Sequence, residues 1–226
     1  QVTMVAGFDR YFQIAICFRD EDLRADRVQE ITQLDAELSF PDQEELFGLM
    51  EGMFAAIWQE CLGITIPVPW PRMTYAEADR RYGSDKPDIR FGMELVELAP
   101  ALVDADGTPA SGFGVFDSAL AAGGRVMAIV APGMAGVTRR EIDDLTERSK
   151  RFGARGLAHL AIEPAGDVKG PIAKFLSPET QAAIVARAGA GEGDLILIVA
   201  DTAETTADVL GRLRVDLGAQ LGLADP

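Results

Sequence analysis

Apolar and polar residues alternate along two segments near the start of the chain, from Tyr11 to Arg19 and from Glu30 to Phe40. Because successive side chains of a strand point to opposite faces, this alternation predicts two strands, each with an apolar and a polar face. The apolar positions are Phe12, Ile14, Ile16 and Phe18 in the first segment and Leu34, Ala36, Leu38 and Phe40 in the second. We expect these positions to face the core and the strands to pair antiparallel around a charged loop.

The polar faces of the two strands can form one surface beneath that loop, with Arg19, Gln33, Asp35 and Glu37 on it. The planar guanidinium of Arg19 can hold a carboxylate and a phosphate oxygen together. Glu21 has the same strand parity and could accept from an amine or help place a metal ion near phosphates. This surface suits a polar ligand. The alternative is a solvated hairpin whose charges pair with one another.

Residues 42 to 61 carry apolar side chains at helical spacing, namely Leu46, Leu49, Met50, Met53, Phe54, Ile57 and Trp58. This spacing predicts a helix with a wide apolar stripe, which we expect to pack in the core or against a partner subunit. Thr74 and Glu77 have the spacing of a capping box, and they predict a short helix that ends near Tyr82.

After about residue 96 the pattern changes to short apolar segments rich in alanine and glycine. Four of these segments predict strands, with the sequences GFGVF, RVMAIV, LAHLAI and DLILIV. Helices are predicted over Thr138–Phe152 and Pro178–Ala188, each with a capping signal at its start. This alternation is typical of an α+β module with a mainly antiparallel sheet.

The last helical pattern covers Ala203–Leu223. We expect one amphipathic helix there, packed against the helix of residues 42 to 61 or against a sheet edge. Upstream, GPIAKF at residues 170 to 175 can hold an anion through Lys174, although a single lysine is weak evidence. Because no paired carboxylates, nucleophile with base, or phosphate loop follow residue 96, this part of the chain is expected to have an accessory or RNA-side role.

The amino-acid composition indicates a globular protein and excludes several other classes. The 226 residues are 48% apolar, enough for a proper core, and the net charge of −15 argues against a broad nucleic-acid-binding surface. No apolar segment approaches the ~20 residues of a membrane span and no signal peptide is evident, so we expect a cytosolic protein. Cys17 and Cys61 lack a C-x-x-C spacing and His159 is the single histidine. The chain therefore predicts free thiols and no protein-held metal site.

One stretch carries a specific resemblance. FRDEDLRADR, residues 18 to 27, followed by E-x-T-Q-L-D, resembles motif 2 of the class II aminoacyl-tRNA synthetases in the form found in bacterial aspartyl-tRNA synthetases. GFDRYFQIA and RRYGSDKPDIRFGMEL also match that family, and residues 96 to about 200 resemble its GAD insertion domain. The resemblance implies an α+β fold with part of the antiparallel-sheet catalytic domain in 1–95, an inserted α+β GAD-like domain in 96–201, and a helix in 202–226 that returns to the catalytic domain.

The resemblance also implies roles for individual residues. Arg19 and Glu21 would be the catalytic residues, with Arg19 in contact with both the aspartate carboxylate and the ATP α-phosphate. Asp20 and Glu21 would lie beside ATP. Gln33 and Asp35 match positions that line the amino-acid pocket, where Asp35 helps to hold the substrate ammonium group.

The loop between the strands matches the segment that meets the tRNA acceptor end, so Arg24 and Arg27 are the expected RNA contacts. Here the chain also departs from the family, which usually reads R-Q-P-E-F-T-Q where residues 27 to 33 read RVQEITQ. Val28 cannot make the hydrogen bond of the usual glutamine to ATP. Ile31 replaces a phenylalanine of the adenine slot and loses about 1 kcal/mol of stacking. ATP binding is expected to be weaker or repacked.

The function implied is that of an aspartate–tRNA ligase, whose full-length form activates L-aspartate with ATP and Mg²⁺ and transfers it to tRNA as a cytoplasmic homodimer. The histidine-containing aspartate site, motif 3 and the anticodon-binding barrel do not occur in these residues, so this chain alone is expected to be inactive. Two alternatives stay open: a paralogue with a binding or regulatory role, and a non-discriminating ligase for tRNA(Asp/Asn). Asp85 and Lys86 are weaker site candidates.

Overall fold

The computed structural model describes residues 1–23 and 27–224. The chain forms two compact units, Gln1–Arg72 and Met73–Pro226, called unit 1 and unit 2 below. Both mix helices with antiparallel sheet, so the predicted α+β class is confirmed. The compact units divide at residue 72, whereas the expected domain limit lies at residue 95. The assignment of residues 96–201 to an inserted domain stays a prediction.

Unit 1 is a hairpin with two helices. Its elements are α1 (Val2–Val5), β1 (Arg10–Phe18), β2 (Glu30–Leu38) and α2 (Gln43–Leu62). The two strands pair antiparallel, with Phe18 opposite Glu30 and Arg10 opposite Leu38, as the alternation predicts. The Asp42 side chain accepts a hydrogen bond from the Glu45 N–H at 2.7 Å and so caps the start of α2.

The expected burial of the apolar face of the hairpin is wrong for this chain. Phe12 is 72% exposed and Phe18 is 75% exposed, and Ile14 and Ile16 are also exposed. The apolar stripe of α2 is similarly open, and Glu51 is the one buried residue of that helix. The reason is physical, since the described part of unit 1 provides a single two-stranded sheet and no second layer over these surfaces.

Unit 2 is built on a five-stranded sheet with the order β3-β4-β7-β5-β6, in which every neighbouring pair is antiparallel. Its strands are β3 (Val96–Glu97), β4 (Arg125–Ala131), β5 (Ala158–Ile162), β6 (Val168–Lys169) and β7 (Leu195–Asp201). Its helices are α3 (Tyr75–Tyr82), α4 (Gly114–Ala121), α5 (Arg139–Arg151), α6 (Pro178–Ala188) and α7 (Ala203–Gln220).

Helices cover both faces of this sheet, and the central strand β7 contributes to both cores. Leu195, Leu197 and Val199 pack with α5 and α7 on one face, while Ile196 and Ile198 pack with α4 and α6 on the other. Because both sets of side chains are buried, the strand is continuously apolar rather than alternating. This explains the uninterrupted sequence DLILIV.

Most predicted elements of unit 2 are confirmed, and one is wrong. Thr138 and Glu141 form the expected capping box at α5, through hydrogen bonds of 2.7 Å and 3.3 Å. GFGVF, however, is not a strand, because helix α4 begins at Gly114. Asp117 on that helix accepts from the backbone N–H and the hydroxyl of Ser111, which turns the chain into the helix. A short aromatic segment does not distinguish strand from helix by its period.

The packing partner of α7 also differs from the expectation. The helix lies across the face of the sheet against β4 and β7, the central strands rather than an edge, and it also contacts α3 and α5. None of the helices in the described residues is long and apolar enough to cross a membrane.

A buried arginine fixes α7 to the loop that follows α3. The Arg214 side chain is almost fully buried between the rings of Tyr82 and Phe91, at 4.8 Å and 4.1 Å from their centroids. Its guanidinium donates to the carbonyl oxygens of Asp88, Phe91 and Gly92 at 2.8, 2.7 and 2.8 Å. Burial lowers the pKa of this group. The three carbonyl acceptors offset the cost of burying the charge.

The substitution Arg214→Met should destabilise unit 2, because three backbone carbonyl groups lose their donor. We expect the free energy of unfolding to fall by about 2–4 kcal/mol in urea titrations of the chain. Arg212→Met is the matched control, since Arg212 is exposed on the same helix and pairs with Asp208. That control should change stability by about 0.5 kcal/mol or less. Equal losses in the two variants would contradict the anchoring role of Arg214.

Asp88, in the same loop, gives a pH-dependent prediction. The Arg90 guanidinium donates to both carboxylate oxygens, at 3.0 and 2.8 Å, and with the Arg90 backbone N–H it lowers the pKa of Asp88 to about 2. Because the folded pKa lies below the unfolded value of about 3.9, this contribution to stability is complete above that value and is lost as the pH falls toward 2.

An NMR titration of the Asp88 carboxyl should therefore show a midpoint near 2. In Arg90→Gln the midpoint should rise toward the ordinary value of about 3.9, because the charged donor is gone. Arg80→Gln removes an exposed charge from α3 and should leave the Asp88 midpoint in place. A midpoint that does not respond to Arg90→Gln would contradict the assigned cause.

Candidate functional site

The polar face of the hairpin in unit 1 brings together the residues predicted to share it. The register places Gln33 opposite Ala15 and Asp35 opposite Gln13, and side chains that lie directly opposite project from the same face. The Arg19 N–H donates to the Gln29 carbonyl at 2.8 Å, which continues the pairing one residue beyond β1. Arg19 thus stands at the end of the strand, on the face that carries Gln33 and Asp35.

Hydrogen bonds link the polar side chains along this face, and one of them reaches the carboxylate of Asp35. The Tyr11 hydroxyl donates to Gln13 Oε1 at 2.9 Å, and Gln13 Nε2 donates to Asp35 Oδ2 at 3.4 Å. The Cys17 thiol donates to Gln33 Oε1 at 3.5 Å. Tyr11, Gln13 and Cys17 were not among the predicted site residues. Strand parity is the signal that could have found them, because all three share the face of Arg19.

Charged side chains gather at the loop end of the hairpin. Glu21 lies between two guanidinium groups, with Arg19 Nη1 at 3.8 Å from its Oε1 and Arg27 Nη1 at 3.8 Å from its Oε2. These distances exceed hydrogen-bond length, and both arginines are more than half exposed. The charges of this hairpin therefore pair with one another only loosely. The guanidinium groups of Arg19 and Arg27 remain able to bind an anion.

A cavity of about 320 Å³ lies at this end of the hairpin, lined by Arg19, Glu21, Arg27, Val28 and Ile31. Its size is at the lower end of the range for small-ligand sites, which is about 300–1,000 Å³. The lining combines two cations and one carboxylate with two aliphatic side chains. Such a set can bind an anionic group at one end and an apolar surface at the other.

Not every predicted residue lies at this cavity. Asp20 is exposed and does not belong to the described lining, while Gln33 and Asp35 lie further along the same face. Arg24 lies outside the described residues. The ligand contacts assigned to these positions, and those assigned to Val28 and Ile31, stay predictions.

The weaker candidates lie in unit 2. Asp85 and Lys86 line a separate cavity of about 480 Å³ beside α7, and the Lys174 ammonium lies 4.9 Å from the centroid of the Phe175 ring. His159 is half-buried on β5, where desolvation lowers its pKa. Within residues 1–23 and 27–224, no cluster of three or more His, Cys, Asp or Glu side chains could hold a metal ion.

Known proteins are similar to the chain along its whole length. A family model described as tRNA synthetases class II (D, K and N) matches residues 1–207. The aspartate–tRNA(Asp/Asn) ligase of Moorella thermoacetica is 51% identical over 226 residues, which cover 100% of this chain and 36% of that protein. The aspartate–tRNA ligase of Bacillus licheniformis is 52% identical over 226 residues, covering 100% and 37%. The chain thus spans 36–37% of the length of these curated relatives.

Proposed function

Because the chain belongs to the class II tRNA synthetases of the D, K and N group, we propose that it is a segment of an aspartate–tRNA ligase. The full-length protein would activate L-aspartate with ATP and then transfer it to tRNA. The observation that best supports this proposal is the set of side chains at one end of the hairpin, where Arg19, Glu21 and Arg27 line a single cavity.

Charge is the main requirement of the activation step. A carboxylate oxygen of aspartate attacks the α-phosphorus of ATP, a new P–O bond forms, and pyrophosphate leaves with the electrons of the broken bond. The approach of two anions needs fixed cations, which act most strongly where charge develops. Arg19 supplies a guanidinium fork at the end of β1, where backbone pairing holds its position.

Glu21 and Arg27 complete the phosphate end of the proposed site. Glu21 lies 3.8 Å from each of the two guanidinium groups at the cavity. It is also the carboxylate of this lining that would lie beside Mg²⁺, which ATP brings on its phosphates and which neutralises part of their charge.

The aspartate end of the site would lie further along the polar face. Asp35 accepts one weak hydrogen bond from Gln13 at 3.4 Å. An ionised carboxylate has about four acceptor positions, so capacity remains for the substrate ammonium group. Gln33 lies two residues away on the same face and would contact the substrate beside Asp35.

Contact with tRNA would be local. Arg27 is 54% exposed at the rim of the cavity and, with Arg24, would meet the acceptor end. The net charge of −15 restricts phosphate neutralisation to such small patches. The same proposal places the full-length enzyme in the cytoplasm as a homodimer, and the exposed apolar stripe of α2 supports contact with a second subunit.

Two other functions are favoured by specific observations. Val28 and Ile31 offer aliphatic surfaces at the cavity, which favours a paralogue with a binding or regulatory role and weakened activation. The Moorella thermoacetica and Symbiobacterium thermophilum relatives are both named as aspartate–tRNA(Asp/Asn) ligases, which favours a non-discriminating ligase. ATP–pyrophosphate exchange tests the first of these alternatives, and charging of purified tRNA(Asn) with aspartate tests the second.

The full-length parent should catalyse ATP–pyrophosphate exchange that depends on aspartate and not on asparagine. Arg19→Lys keeps the charge but loses the planar fork, so the exchange rate should fall about 100-fold or more. Arg10→Lys is the matched control, because Arg10 lies at the opposite end of β1 from Arg19 and pairs with Glu45 away from the cavity. Absence of exchange in the wild-type parent would overturn the ligase proposal and favour the binding paralogue.

The double substitution Val28→Gln with Ile31→Phe should tighten ATP binding in the parent. It restores a hydrogen-bonding side chain and an aromatic face, and about 1 kcal/mol of stacking corresponds to about a fivefold lower KM for ATP. Leu23→Gln changes an exposed residue outside the described cavity lining and should leave that KM unchanged. If the double variant also leaves the KM unchanged, residues 28 and 31 are not adenine contacts.

A further inference from the structure

A second, larger cavity lies in unit 2, at the edge of the sheet where β7 ends and β4 and β5 begin. Its volume is about 750 Å³, within the range of small-ligand sites. Helix α4 forms one wall, residues 155–158 form another, and the end of β7 with the start of α7 forms a third. The synthetase site proposed above lies in unit 1 and uses none of these residues.

Small residues create this space. Gly114 and Ser118 on α4 and Ala122 at its C-cap follow each other at intervals of four, so they share one side and line the cavity. Gly124 allows the close approach of this wall to β7, because a Cβ there would lie 2.4 Å from the Asp201 carbonyl oxygen. Apolar side chains from the core, including Ile198, form the floor.

The carboxylate of Asp201 lies in this largely apolar cavity wall. Asp201 and Arg155 are the only charged side chains in the described lining. The Asp201 side chain is 8% exposed, and its carboxylate accepts a hydrogen bond from the Thr202 N–H at 2.8 Å. Arg155 Nε lies 3.6 Å from the carboxylate, beyond hydrogen-bond length, and the Arg155 side chain is 89% exposed. The carboxylate is thus nearly buried, with acceptor capacity to spare.

We propose that this cavity binds a small organic ammonium ion with an apolar body. The ammonium group would donate to Asp201, and the apolar body would rest on the floor of the cavity beside α4. A cation is favoured because a nearly buried carboxylate is stabilised by a positive donor within hydrogen-bond reach, which Arg155 does not provide. An anionic ligand would be repelled by Asp201, and a neutral ligand would offset the desolvation of the carboxylate less than a cation does.

The 226-residue chain can be tested with a matched pair of probes, 2-phenylethylammonium and neutral 2-phenylethanol. Titration followed by ¹H–¹⁵N chemical shifts should place the ammonium probe at Gly123, Gly124 and Ala200, with a Kd on the order of 1 mM. The alcohol should bind about tenfold more weakly, because its hydroxyl can donate to the carboxylate but carries no positive charge. Equal affinities, or shifts that avoid these residues, would overturn the proposal.

Two substitutions separate charge from shape. Asp201→Asn should abolish the preference for the ammonium probe, while Asp167→Asn, an equal charge change at an exposed residue, should keep it. Ser118→Phe fills the cavity from the exposed side of α4 and should abolish binding of both probes while the remaining spectrum stays folded. If Asp201→Asn still binds the ammonium probe more tightly than the alcohol, the proposed role of the carboxylate is overturned. This result does not depend on whether the other variants fold.

Discussion

The antiparallel register of β1 and β2 is the constraint on which the candidate site depends. A shift of one residue would move every side chain of one strand to the opposite face, and Asp35 would no longer lie opposite Gln13. With the observed register, Gln33 and Asp35 share a face with Arg19, which stands at the end of that face. The site is therefore set by backbone hydrogen bonds, whereas its side-chain ion pairs at 3.8 Å are loose.

Unit 2 depends on a different constraint, the burial of β7 on both faces. Its alternating side chains join two cores, so the strand cannot shift without exposing one of them. Arg214 on α7, the helix that covers one of these cores, donates to three backbone carbonyl groups of the loop after α3. These bonds hold the loop to the core. The cavity beside α4 lies in the same framework, which gives Asp201 a fixed position at its wall.

The two units show which structural features the sequence pattern predicts and which it does not. The capped helices and the central strands of unit 2 follow from local signals, such as the capping box of Thr138 and Glu141, because hydrogen bonds within a few residues decide them. GFGVF could not be assigned from its period, since contacts of Ser111 with Asp117 decide that α4 is a helix. The resemblance to motif 2 singled out Arg19, Glu21 and Arg27. Strand parity places Tyr11 and Gln13 on the same face as Arg19, but only the register puts Gln13 beside Asp35.

The sequence by itself determined the family, the strand faces of the hairpin and the charged cluster around Glu21, because these depend on neighbouring residues and on a specific motif. Tertiary structure alone decided which apolar surfaces are buried. Phe12 and Phe18 have the pattern of a core face and remain exposed, whereas Arg214 is charged and buried. A pattern records which side of an element is apolar, but burial requires a second layer over that side, and contacts between distant segments determine whether it is present.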